Sequence, residues 1–176
     1  KYINIYMDNP SIKIINVKIE TKEEKKKKTR KVTNNNWEYE NISFEEEKVI
    51  LQNLKNNILN KESQYLLEEI KKKVSSYKNQ DIIKKKLNEE KIVNKEDVLD
   101  KLLSSDCECL YCKKKVKLFY KYVRDNRQWT LDRINNSLGH NNDNVEICCL
   151  KCNLSRKTIN SEKYLLTKQI SNIKKI

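Results

Sequence analysis

"WTLDRINNSLGHNNDNVEICCLKCNLSRK", residues 129–157, decides the fold. It opens on aromatic and β-branched residues suited to a strand, and Asp132 follows at the strand's end. "NNSLGHNNDN", residues 135–144, is a polar loop carrying the chain's one histidine and one glycine. Gly139 there is free to take positive φ. "VEIC", residues 145–148, reads as a short returning strand, and "LKCNLSRKTI", from Leu150 onward, suits a helix. The predicted order is strand, polar loop, strand, helix, with cysteines at the helix start.

Those cysteines have counterparts upstream. Cys149-Leu-Lys-Cys152 is one C-x-x-C and Cys109-Leu-Tyr-Cys112 is another. Each pair lets two thiolates grip one ion from a tight turn, and two pairs close a tetrahedral zinc site with four thiolate ligands. A single C-x-x-C could be redox-active. Two of them, with no thioredoxin-like βαβ pattern, favour structural zinc. The separation of about 36 residues is wider than in compact zinc ribbons, so the chain between the pairs must itself be folded. Within it "VKLFYKYV", residues 116–123, also has strand-forming composition. Cys107 and Cys148 are spare; Cys148 could replace its neighbour only at a looser spacing.

Composition narrows the partner. The chain has 176 residues, room for one domain with an extension or for two small domains. Lys+Arg number 38 against 25 Asp+Glu, a net charge of +13, which favours a polyanion through attraction and counterion release. Asn, Lys and Ile abound while Gly and Pro are nearly absent, a composition that follows from AT-rich coding and accounts for roughly half of the lysine excess. No apolar run approaches the roughly 20 residues that span a bilayer. Residues 1–20 lack the apolar core and small-residue cleavage site of a signal peptide. An intracellular location, cytoplasmic or nuclear, and no membrane partner are therefore expected, with cysteines used as ligands or thiols.

Three stretches lie outside the chemistry. Residues 1–20 alternate Ile3, Ile5, Met7 and then Ile12, Ile14 around Asp8-Asn9-Pro10, which predicts a β-hairpin. Residues 21–36 have almost nothing to bury and read as a basic linker or exposed arm. Residues 37–104 read as a helical module. Ser43 with Glu46 forms a capping box and Asn94 with Asp97 a weaker one. Leu51, Leu54 and Ile58 share a helical face, as do Leu66, Ile70, Val74 and Tyr77. Ile82, Ile83 and Leu87 suggest a short third helix, and Val98, Leu99, Leu102 and Leu103 a fourth. Residues 105–176 form the chemical domain of an α+β chain.

"TLDRINNSLGHNNDNVEICCLKCNLSRK" behind "CLYC" resembles the zinc-bearing HNH endonucleases of the ββα-metal fold. It is most similar to their Asp-Arg-Ile branch, familiar from phages and large DNA viruses, so a viral source is expected too. The resemblance covers about residues 94–160, with the cysteine pairs, Asp-Arg-Ile, Gly-His, Asn-Val and Cys-Asn in family order. It implies a metal-dependent DNA endonuclease. Asp132 matches the acidic ligand of the catalytic ion, and Asn153 the final His/Asn that completes its protein ligands. Hard oxygens of this kind suit Mg2+ or Mn2+. Asn144 matches the asparagine that holds the loop. The zinc is structural and fixes the helix start, and with it Asn153.

Arg133 stands where most of that family has the histidine that activates water. Arginine stays protonated and cannot serve as an ordinary base. Three roles stay open. His140 supplies the base; or the ion suffices while Arg133 clamps the scissile phosphate; or the site is silent and the domain only binds nucleic acid or a protein assembly. Arg127, Lys151, Arg156 and Lys157, with Arg133, are candidate contacts to the DNA backbone, each also readable as a solvated charge.

Overall fold

The computed structural model describes residues 30–32, 38–39 and 41–172. The hairpin expected over residues 1–20 and most of the basic linker lie outside them. The described residues form an α+β structure of five helices and one two-stranded antiparallel sheet.

The first helix, α1, spans Phe44–Lys55. The Ser43–Glu46 capping box is complete, with Ser43 Oγ accepting the Glu46 N–H and Glu46 accepting the Ser43 N–H. Glu47, Ile50, Leu51 and Leu54 are its buried stripe, the spacing of one helical face. Ile58, expected to continue that face, lies beyond the helix end and is 54% exposed. α2 spans Lys61–Ile83 and is capped by Asn60; it buries Leu66 and Ile70 and half-buries Val74 and Tyr77. The expected third helix does not form. Ile82 and Ile83 are instead the exposed last residues of α2, and Leu87 follows in a loop. α3 spans Lys95–Ser104 behind the complete Asn94–Asp97 box and buries Val98, Leu99 and Leu102.

The chain then reaches the first cysteine pair. "VKLFYKYV" buries Val116, Leu118, Phe119 and Tyr120 but makes only isolated bridges, not a strand. The cause is Glu47. Its carboxylate accepts the N–H groups of Leu118 and Phe119, both at 3.0 Å, so these donors are satisfied by a helix side chain instead of a neighbouring strand.

The sheet is as expected. β1, Trp129–Arg133, pairs with β2, Val145–Cys149, placing Trp129 opposite Cys149 and Asp132 opposite Glu146. α4, Leu150–Arg156, follows β2 directly and packs on both strands. α5, Ser161–Asn172, returns to set the Tyr164 ring edge-on to Tyr111, 4.9 Å between centroids. The outer edge of β1 is covered by α2. Tyr77 Oη accepts the Leu131 N–H at 3.0 Å, and the Lys73 ammonium reaches the Trp129 carbonyl while lying 4.1 Å over its ring. One buried apolar cluster runs from Leu51 and Leu66 through Tyr111 and Val116 to Trp129 and Ile147. The helices before residue 105 therefore share a core with the cysteine-bearing part.

Candidate functional site

The four expected ligands meet. The sulfurs of Cys109, Cys112, Cys149 and Cys152 all lie within 4.8 Å of one another, and three of the four residues are buried. Cys112 Sγ and Cys149 Sγ are 3.9 Å apart. Tetrahedral zinc at the usual sulfur distance needs an edge of about 3.8 Å, so the cluster can hold a metal after a contraction smaller than a bond length. The local backbone supports it. The Leu110 N–H donates to Ile147 O at 2.9 Å, which pins the first turn to β2. Cys149 is the N-cap of α4, and its sulfur accepts the Cys152 N–H at 3.4 Å. Without metal two of the thiols resist ionisation: a hydrogen bond with Cys149 and then burial raise the Cys109 pKa, and burial pushes Cys152 up to about 12. Metal uptake must therefore displace protons. Cys107 and Cys148 are buried outside the cluster; Cys148 Sγ lies 3.2 Å from Thr130 Oγ1.

Asn153 lies one residue past this cluster. Its side-chain nitrogen donates to Thr130 Oγ1 and to the Leu131 carbonyl, both at 3.1 Å. This fixes the amide over β1 and leaves Oδ1 without a partner among the described residues. An oxygen held this way fits a hard cation.

Asp132 is more deeply committed than expected. Its Oδ2 accepts the Tyr111 hydroxyl at 2.6 Å and pairs with Arg156 Nε at 2.6 Å; its Oδ1 accepts Arg156 Nη2 at 2.9 Å. Carboxylate and guanidinium are both buried, at 7% and 1% exposure. Arg156 also donates to the carbonyls of Ile159 and Arg133, both at 2.6 Å, and to Asn136 Oδ1 at 2.9 Å. A divalent ion would have to share Asp132 with this guanidinium, using the lone pair left on Oδ1. The fit is therefore good at Asn153 and partial at Asp132. Across the sheet from Asp132 stands Glu146, half-buried, a carboxylate that sequence reasoning passed over. Its position in a Val-Glu-Ile alternation opposite "LDR" could have flagged it, because directly paired residues share a face.

The loop residues divide. Asn144 takes the place expected of it: Oδ1 accepts the Asn135 N–H at 2.9 Å, and the nitrogen donates to the carbonyls of Asn135 and Gly139 at 3.0 and 2.9 Å. His140 does not sit on the surface. It is 4% exposed, stacked on Tyr77 at 4.6 Å, with Nδ1 2.8 Å from Asp81 Oδ1 and its N–H donating to Asp81 Oδ2 at 2.5 Å. Burial lowers its pKa despite the opposing carboxylate. Gly139 takes no positive φ. It is required for close approach, since a Cβ would collide with the Lys86 carbonyl and lie 2.7 Å from Asp81 Oδ2.

One of the five expected backbone contacts is corrected, and a second is partly engaged. Arg156 is buried in the ion pair and cannot reach a phosphate. Arg127 spends Nε and Nη2 on the Lys115 carbonyl, at 3.2 and 2.6 Å, and lies 4.8 Å over the Phe44 ring. Arg133 is half-buried, and among the described residues its guanidinium makes one bond, from Nη1 to Leu138 O at 3.2 Å; Lys151 and Lys157 are exposed. Among the described residues no helix is long and apolar enough to cross a membrane. Comparison with protein-family models, curated proteins and solved structures gives no match.

Proposed function

We propose that this chain is a divalent-metal-dependent DNA endonuclease of HNH type, with structural zinc on Cys109, Cys112, Cys149 and Cys152. The observation that carries the reading is the placement of Asn153. The residue directly after a cluster cysteine has its amide tied to β1 beside Asp132, with the oxygen left open. Asp132 and Asn153 would hold Mg2+ or Mn2+, which supplies Lewis-acid stabilisation of charge on the phosphate and the departing oxygen. Arg133, with one guanidinium bond used, is free to clamp a phosphate through the others. Asn144 holds the loop between the strands. His140 is stacked and paired away from solvent, so its part is to dock the loop on α2, not to take a proton. The test is nicking of supercoiled plasmid by zinc-loaded protein, which should require Mg2+ or Mn2+ and stop in chelator.

One observation favours a second reading, a catalytically silent zinc domain that binds nucleic acid. Asp132 is already neutralised by Arg156, and the chain's one histidine is turned away from it into the pair with Asp81. Retained DNA binding without nicking in any metal would select this alternative.

A further inference from the structure

"DIIKKK", residues 81–86, closes α2, and its four middle residues, Ile82 to Lys85, have no role in the site described above. Its first residue is fully buried, yet Ile82 and Ile83 are 50% and 80% exposed, and Lys84 and Lys85 are exposed after them. The segment is firmly anchored. Asp81 takes both the N–H and Nδ1 of His140. The Lys86 carbonyl packs where a side chain on Gly139 would have to go. The Lys86 ammonium donates to the Asn136 carbonyl at 2.5 Å. Each anchor lies in the loop that begins at Arg133 and joins the two strands. From the other side Asn136 Nδ2 meets the Lys157 carbonyl at 3.5 Å, just past α4. Lys84 and Lys85, Arg133, and Lys157 thus border one loop from three elements. None of the four makes an ion pair among the described residues. Earlier on α2 the pattern is different: Lys71 pairs with Glu68 at 2.9 Å and Lys72 with Glu69 at 3.0 Å.

We infer that the end of α2 is part of a duplex-DNA-binding surface, with Lys84 and Lys85 on phosphates and Ile82 and Ile83 against the groove wall. This rests on the nuclease reading and extends it, because it gives the helices before residue 105 a share in substrate binding. It also gives the Gly139-His140 pair a purpose, that of clamping this segment beside Arg133. Duplex DNA is favoured over an anionic membrane because the segments that carry these cations are tied to the loop bordering Asp132, through Asp81, Lys86 and the Lys157 carbonyl, and the cations are not spread along one helix face. Phosphate neutralisation supplies affinity and steep salt dependence, and apolar side chains can enter a groove alongside.

The test is fluorescence anisotropy of zinc-loaded full chain with a short labelled duplex across a salt titration. K84Q/K85Q should weaken binding about tenfold or more at moderate salt and reduce the slope of log K against log salt by about 2. I82A/I83A should weaken binding with the slope unchanged. K71Q/K72Q, on the same helix, should bind as wild type. All six positions are exposed or on the helix surface, and melting of each variant checks that the fold is intact. Wild-type affinity and slope in K84Q/K85Q, with R133Q and K157Q still weakened, would overturn the surface and leave the nuclease reading standing. An equal loss in K71Q/K72Q would overturn it as non-specific charge. Wild type that binds no duplex, or binds only phosphatidylserine vesicles, would overturn both.

Discussion

Replacing Arg156 by methionine tests how the candidate site is built. The substitution keeps an apolar body of similar length and deletes the charge. It leaves Asp132, 7% exposed, with only the Tyr111 hydroxyl. Breaking a buried pair from one side costs about 3–5 kcal/mol. The carbonyls of Ile159 and Arg133 and the Asn136 side chain also lose their donor, each a further loss on the order of 1 kcal/mol where water cannot enter. Against a total stability of about 5–15 kcal/mol, a third or more should disappear. With a urea dependence of about 2 kcal/mol per molar, the midpoint should fall by roughly 2 M in zinc-saturated buffer. D132N should be damaging as well, since it strands a buried guanidinium, and the R156M/D132N double variant should lose less than the sum by about 3 kcal/mol. A midpoint shift under about 0.5 M for R156M, or strict additivity, would refute the ion pair as drawn. The result also governs how the nuclease reading is tested. An Asp132→Ala variant that fails to cut has removed both a candidate ligand and a fold-holding charge, so it cannot separate the two.

Purified protein should contain one zinc per chain; Cys109→Ser should lose it and melt far lower, while Cys107→Ser should keep it, as read by elemental analysis and calorimetry. Glu47 predicts an unusual pH dependence. Burial raises its pKa from 4.5 to about 7, so the folded state binds the proton more tightly than the unfolded one. Its contribution is complete below about pH 4.5 and is lost as pH rises through about 7, a drop on the order of 3 kcal/mol. Glu47→Gln should flatten that slope in urea titrations between pH 5 and 8, whereas an unchanged slope would place the titration elsewhere. Gly139→Ala should destabilise by about 2 kcal/mol or more, because the new methyl meets the Lys86 carbonyl; an unchanged melting temperature would show that the docking of α2 on the loop is looser than described.

What could be read from sequence was local. The two C-x-x-C pairs, the β1–β2–α4 order and both capping boxes follow from spacings of a few residues, and each forms as expected. The unread features join residues far apart in the chain. Nothing near Asp132 announces that Arg156 will neutralise it, and Arg156 looked like a surface cation because arginines usually are. His140 stands inside a polar loop with nothing nearby to bury it, and its partner Asp81 lies 59 residues away. "VKLFYKYV" had the composition of a strand, but its donors were claimed by Glu47, 71 and 72 residues earlier. Ile82 and Ile83 matched a helical period without being core, which is why their exposure carries information.

The most direct test is the rate of plasmid nicking by Asn153→Ala in Mg2+ or Mn2+, beside wild type. Asn153 is half-buried, and among the described residues its side chain makes only the two bonds from its amide nitrogen, so its loss spares the Asp132–Arg156 pair and the four sulfurs. The account predicts that wild type nicks DNA only with the divalent ion. Asn153→Ala should cut at least about 100-fold more slowly, the scale of losing one positioned electrostatic group, while its zinc content, melting temperature and DNA affinity stay at wild-type values. Nicking by Asn153→Ala at the wild-type rate, or none by wild type in either metal, would contradict it.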